Sequence, residues 1–234
     1  MNQDALAIQT VTVPTSHHSW TCAALADGMG GVPGGDVASG LAVTTALAHL
    51  SATRKLPSAA PLEEAFDIAH QAVVAEAELT GLRGMGTTLI VLVAAAGVAY
   101  LGSVGDCRAH LISGAGSVAL TRDHTVAASG DLEGWDPGEI ARSPFAGMLT
   151  RAIGIGGSPP GVDIVGPISV GDGDRIVLTS DGVHDVVQAG QIFAIGGSGV
   201  CDSAAEALVA AAGAAGTQDD ATAIVIEYRV QGSA

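Results

Sequence analysis

Hydrophobic positions recur along this chain in two alternating periods. Residues 5–13 (ALAIQTVTV) alternate loosely between apolar and polar, the period-two pattern of a strand. A turn from Pro14 to Ser19, carrying His17 and His18, leads into a second strand-like run, Trp20 to Ala26. Beyond the glycine-rich loop Gly28–Gly35 the period lengthens, and Val37, Leu41, Thr44 and Ala48 fall on one face of a helix predicted over 36–50. Ser51 to Ala60, with Pro57, reads as a linker. Pro61 suits a first helical position and opens a second helix to about Leu79, with Glu63 and Glu64 in its acid-favouring first turn. Its predicted buried stripe is Leu62, Phe66, Ala69 and Val73.

After the turn Gly81–Gly86 the pattern returns to strands. Thr88–Val93, Val98–Val104, Cys107–Ile112 and Ser117–Leu120 are joined by short glycine-containing turns, which predicts a meander of antiparallel neighbours. Between His124 and Met148 no period is visible, and long irregular stretches in compact domains are commonly functional. Ile168–Ser180 reads as strand interrupted by the turn 171–174. Ser203 with Glu206 reads as a capping box for a helix to about Ala212, and Ala221–Arg229 as a closing strand. Two helices after the first hairpin and one before the last strand predict an α+β layered sandwich rather than a doubly wound sheet. The loop GMGGVPGG lacks the Lys-Ser/Thr of a Walker loop and does not sit as a GxGxxG turn.

The strand ends carry the chemistry. The run ending at Ala26 stops at Asp27-Gly28, Val98–Val104 stops at Gly105-Asp106, and Arg175–Ser180 stops at Asp181-Gly182. Asp219-Asp220 precedes the last apolar run, and Asp4 stands near the N-terminus. A single Asp-Gly is an ordinary turn. Its recurrence at strand ends that one sheet edge can gather points to carboxylates held in one place by hard divalent cations.

Composition narrows the function classes. With 234 residues, 48% of them apolar and only 3% aromatic, the chain has the length for one aliphatic core-bearing domain. A net charge of −15 argues against nucleic acid or an anionic membrane surface as partner. The longest apolar stretch, Thr88–Leu101, contains Gly97 and is too short for a bilayer. The N-terminus shows no secretory pattern, and Cys22, Cys107 and Cys201 form no CxxC pair; a reduced, cytoplasmic protein is the expectation.

Eight blocks in order carry a resemblance: NQDA at 2–5, ADGMGG at 26–31, GMGTT at 84–88, VGDCRAHL at 104–111, LTRDHT at 120–125, LTRAIG at 149–154, GDRIVLTSDGVHDVV at 173–187 and DDATAIVI at 219–226. Together they resemble the metal-dependent protein phosphatases of type 2C, the PPM family of Ser/Thr phosphatases, in its bacterial form. The resemblance covers nearly the whole chain as a single catalytic domain, 1–234. It implies a four-layer α/β/β/α sandwich of two antiparallel sheets flanked by helices, with a dinuclear Mn²⁺ or Mg²⁺ site at one edge. Carried over residue by residue, it makes Asp27 the carboxylate bridging two metals and gives Gly28 a carbonyl ligand. Asp4, Asp181 and Asp219 become the other ligands, with Asp220 at a position usually held by Asn. Asp106 matches the carboxylate that joins Asp181 around a third, weaker metal.

The implied reaction is hydrolysis of phosphoserine and phosphothreonine by metal-activated water, with Asp27 and Asp181 acting through the metals. Phosphoproteins are the implied substrates, in balance with a bacterial Ser/Thr kinase. The irregular segment 125–148 corresponds to the family's flap. The chain departs from the family pattern in two places. The Arg that grips substrate phosphate would fall before Met1, as would the first strand, so either the N-terminus is truncated and the start lies upstream, or the protein works without that Arg. The positions where relatives place a candidate general-acid His hold Met29, Val32 and Pro33, leaving His17, His18, His124 and His184 without an assigned role. A non-catalytic metal-binding module of the same fold that engages phosphoproteins is the alternative reading.

Overall fold

The computed structural model describes residues 2–12, 19–53, 58–129 and 136–229. The opening hairpin consists of β1 (Asp4–Thr12) and β2 (Ser19–Asp27), antiparallel, with Asp4 directly opposite Asp27. The turn bearing His17 and His18 lies outside the described residues, as do residues 54–57 of the linker predicted over 51–60. Two helices follow, α1 (Gly35–Thr53) and α2 (Ala59–Thr80). The stripe predicted for α2 is buried as expected, with Ala65, His70 and Ala77 added to it. Its start is earlier, at Ala59 behind the N-cap Ser58, so Pro61, Glu63 and Glu64 stand further inside than predicted.

The stripe predicted for α1 is wrong. Val37, Thr44 and Ala48 are exposed, while Ala38, Ala42, Val43, Ala46, Leu47 and Leu50 are buried. This helix is apolar nearly all round, so periodicity gives little contrast between faces. The face that packs is the one whose alanines let the helix lie close to Ala24 and Ala26 of β2.

The next strands are β3 (Leu89–Ala95), β4 (Val98–Val104), β5 (Arg108–Ser113) and β6 (Gly116–Ala119). The glycine turns give the expected antiparallel pairs β3–β4 and β5–β6. The predicted meander nevertheless breaks between β4 and β5, where the chain crosses to a second sheet. The crossing is made at Gly105, whose φ of +100° suits glycine and where a Cβ would come within 2.6 Å of Thr88. The aperiodic region holds short helices α3 (Val126–Ser129) and α4 (Pro137–Ala141). After it come β7 (Asp163–Ser169), β8 (Arg175–Thr179), α5 (Asp181–His184), α6 (Ala189–Gly196), α7 (Cys201–Ala215) and β9 (Ala223–Glu227). The interrupted strand 168–180 is thus two strands in different sheets. Helix α7 begins at Cys201 with Val200 as N-cap and no side-chain cap, so Ser203 and Glu206 form no capping box. A box forms instead at α4, between Asp136 and Glu139.

Among the described residues there are two antiparallel sheets, in the orders β1-β2-β3-β4-β7 and β6-β5-β8-β9. Three apolar layers join the parts. Helices α1 and α2 cover the first sheet; Leu25, Leu92, Leu101, Leu178 and Ile224 fill the space between sheets; α5 to α7 cover the second through Val177, Val183, Ile192 and Leu208. This is the expected α/β/β/α sandwich. Burial of alternate aliphatic residues on each strand holds the layers at roughly 10 Å spacing.

Candidate active site

Strand register brings the carboxylates together. Asp4 opens β1 and Asp27 closes β2, facing each other across one rung. Asp106 follows the end of β4, Asp181 follows the end of β8, and Asp219 and Asp220 precede β9, all at the same end of the sandwich. Ser180 joins the two sheets there: its hydroxyl donates to Asp4 Oδ2 at 2.9 Å and accepts from the Thr222 N–H at 3.0 Å. Gln3 N–H donates to Asp220 Oδ2 at 2.7 Å, tying the N-terminal strand to the start of β9. Asp220, which the sequence pattern set aside in favour of Asp219, is therefore the one that reaches the N-terminal strand; Asp219 is exposed, and its Oδ1 accepts only locally, from Asp220 N–H at 2.8 Å.

The Asp27 backbone is held from one side. Thr88 Oγ1 accepts the Asp27 N–H at 2.8 Å, Thr87 Oγ1 donates to the Asp27 carbonyl at 2.8 Å, and Thr88 N–H donates to that carbonyl as well. Gly28 has no room for a side chain, since a Cβ would stand 2.3 Å from the Gly35 carbonyl oxygen. Gly182 is equally confined, with the Asp220 carbonyl oxygen 2.0 Å from where its Cβ would be. Ser180, Thr87, Thr88 and Gln3 were not singled out from sequence as site residues. Their signal was present in the flanks of the motifs, in GMGTT and in TSDG.

Electrostatically this end is strained. Burial pushes the Asp4 carboxyl up to about 6, with Asp220 and Asp181 adding to the rise, and Asp106 up to about 7, with Asp181 adding to it. Asp27 is raised far above the carboxylate range by burial and by the charges of Asp4 and Asp181. Asp4 Oδ1 and Asp181 Oδ1 are buried and meet no N–H or O–H donor. Asp27 and Asp181 are close enough to perturb each other, the Asp181 charge adding to the rise of the Asp27 carboxyl. Asp185, one turn beyond Asp181, is also raised by burial and by Asp181. Among the described residues no group of three or more His, Cys, Asp or Glu side chains is gathered as it stands into a metal-holding geometry. The donor set fits a hard divalent ion nonetheless: oxygen only, charge-rich, with two orphaned oxygens.

A match to the family model described as Protein phosphatase 2C spans residues 1–207. The chain belongs to the protein phosphatase 2C family. It is 30% identical over 215 residues to the serine/threonine phosphatase stp of Listeria innocua, covering 87% of this chain and 82% of that one. Its structure is similar to the PPM Ser-Thr phosphatase MsPP of Mycobacterium smegmatis in complex with cacodylate, with a TM-score of 0.77, 31% identity, and coverage of 97% and 92% of the two chains. The catalytic domain of PstP in complex with two manganese ions aligns with a TM-score of 0.75 and 28% identity over 97% of this chain and 99% of that one.

Arg108, Arg151, His124 and His184 of this phosphatase are committed to structure. Arg108 makes a bidentate pair with Asp123, Nη2 to Oδ2 at 2.6 Å and Nε to Oδ1 at 3.0 Å. Arg151 pairs with Asp163 at 2.6 Å. His124 clamps Gly105, its Nδ1 accepting the Gly105 N–H at 3.1 Å while its backbone N–H donates to the Gly105 carbonyl at 3.0 Å. Its Nε2 faces Asp163 Oδ2 at 3.1 Å, which fixes the Nε2–H tautomer. His184 is buried against Thr179 Oγ1, and burial with nearby Arg108 pushes it down to about 3. Neither ring is free to protonate a leaving group. The opposite end of the sandwich holds a cavity of about 540 Å³ lined by Thr10, Trp20, Leu92, Val170, Ile176 and Tyr228, far from the carboxylates.

Proposed function

We propose that this protein serine/threonine phosphatase works at a Mn²⁺ or Mg²⁺ centre held by Asp4, Asp27, Asp181 and Asp219 with the Gly28 carbonyl, and that Asp106 joins Asp181 around a further ion. The observation carrying this reading is the buried cluster of mutually repelling carboxylates with two orphaned oxygens, at the strand ends where the motifs fall. The PstP relative, with its two manganese ions, supports the choice of metal. Two such ions, when bound, lower the pKa of water to about 7 and neutralise phosphoryl oxygens.

The chain's own residues supply the rest. Asp27, fixed through both backbone groups by Thr87 and Thr88, sets the position around which the other carboxylates gather. Ser180 holds Asp4 Oδ2 and leaves Oδ1 for the cation. Bound cations would favour the ionised carboxylates over the raised, protonated forms of Asp4 and Asp27, so loading would release protons and depend on pH. With no imidazole free at the site among the described residues, substrates whose leaving groups need no proton, such as aryl phosphates, turn over best. The substrates are phosphoproteins of the cytoplasm, in balance with a Ser/Thr kinase. No helix among the described residues is long and apolar enough to cross a membrane.

The test is hydrolysis of p-nitrophenyl phosphate and a phosphothreonine peptide by the intact chain, with and without Mn²⁺, beside Asp181→Ala. Metal-dependent turnover lost in the variant is expected. Turnover that needs no metal, or that survives Asp181→Ala, would overturn the assignment.

A further inference from the structure

We propose that Met29 and Ile155 form an apolar subsite that receives an aliphatic or aromatic side chain flanking the phosphorylated residue of a protein substrate; this rests on the phosphatase reading above. Three segments run side by side away from Asp27. Met29 N–H donates to the Gly86 carbonyl at 2.9 Å, and the Thr87 and Ile153 backbones exchange hydrogen bonds at 3.0 and 2.8 Å. Met29 and Ile155 are carried on the outer ends of these segments, and both side chains converge over Gly86. A Cβ there would stand 2.8 Å from Met29 Sδ and 2.8 Å from Ile155 Cγ1, so only glycine lets the pair close over this spot.

The position of Ile155 is built. It sits between Gly154 and Gly156, both at positive φ, and a Cβ at Gly154 would strike Val73 at 2.3 Å. Gly154 N–H is fixed to His70 Nδ1 at 3.2 Å. The side chain so placed is 39% exposed, and neither it nor half-buried Met29 belongs to the three apolar cores. A rigid turn that presents an isoleucine to solvent beside a methionine, two residues from Asp27, makes an apolar wall next to the reacting phosphate. Methionine adapts to the shape of what it meets. The charge of the chain selects in the same direction: it carries −15 overall, which disfavours acidic flanking residues.

The measurement is kcat/KM of the Mn²⁺-loaded chain for phosphothreonine peptides that differ only in the flanking residues, Leu, Ser or Glu. The Leu peptide is expected to exceed the Ser peptide by about tenfold, the scale of an apolar contact in an open pocket. The gain falls in KM, because the contact exists before the transition state, and the Glu peptide is slowest. Ile155→Ser brings Leu and Ser to within about twofold of each other, and Met29→Ser serves the same purpose should the first variant not fold. Phe145→Ser, on an exposed flap aromatic, leaves the ratio standing. Equal turnover of the Leu and Ser peptides by the unaltered chain overturns the subsite while leaving the phosphatase intact. So does a preference abolished by Phe145→Ser and retained by Ile155→Ser. Failure to hydrolyse every peptide overturns both readings.

Discussion

The two ends of the sandwich bury charge in opposite ways. At one end Asp4, Asp27, Asp106 and Asp181 crowd together with carboxyls raised by burial and mutual repulsion, and the nearby Arg108 is committed to Asp123. At the other end the Arg175 guanidinium is sunk deeper still, yet every part of it is matched. It donates to Glu227 at 2.9 and 2.6 Å and to the carbonyls of Gly196, Ser198 and Gly199. Arg175 beside Glu227 holds that carboxyl below its usual range, with Arg229 adding to the effect. Charge that is paired in place serves the fold; like charge gathered without a partner marks a place where something else must bind.

Substitutions at the two ends should therefore behave in opposite ways. Asp27→Asn is expected to lower Mn²⁺-dependent turnover by about a thousandfold or more, the scale of losing a group that organises transition-state charge. It should at the same time raise the melting temperature of the metal-free chain, because a repelling carboxylate is gone. Paired assays of turnover and thermal unfolding read both. Arg175→Met should do the reverse, lowering the melting temperature by on the order of 10 °C while the folded fraction keeps its kcat. Thermal unfolding and active-site-normalised kinetics separate the two.

The pH dependence sharpens the contrast. Folded-state values near 6 for Asp4 and near 7 for Asp106 lie above the unfolded value of 3.8. For carboxyls raised on folding, the stability is fully present below the unfolded pKa and is lost as pH rises through the folded one. The metal-free chain should thus melt at progressively lower temperature between about pH 4 and pH 7, and saturating Mn²⁺ should remove that decline. Unfolding scans across this range, with and without the ion, check it. The smallest effect is expected from Ser180→Ala. Loss of the buried bonds to Asp4 and Thr222 costs about 1–2 kcal/mol and weakens Mn²⁺ about tenfold, read by denaturant titration and calorimetry.

Much of this arrangement was legible in the chain. Apolar runs that end at an Asp beside a Gly located the strand ends; the register that sets Asp4 opposite Asp27 is seen only in the structure. The buried face of α2 followed from Leu62, Phe66, Ala69 and Val73 because Glu63, Glu64 and Asp67 mark the other side. No such contrast exists on α1, where the packing of Ala38 and Ala42 against β2 decides the face and alanine carries no directional signal. The crossing at Gly105 was hidden for a related reason: local pattern does not tell a turn within a sheet from a step between sheets. The roles of Ser180, Thr88 and Gln3 depend on contacts across 176, 61 and 217 residues of sequence, which no local pattern encodes. His124 and His184 look like candidate proton carriers in sequence, and only burial against Gly105 and Thr179 reassigns them to structure.

Calorimetric titration of Mn²⁺ into the intact chain at neutral pH tests the central claim most directly, with Asp27→Asn as the companion titration. Binding of at least two ions per chain, accompanied by proton release and lost in the variant, is the predicted result. An unaltered chain that binds no ion, or a variant that binds as many as the parent, would contradict the claim that these carboxylates are gathered for metal.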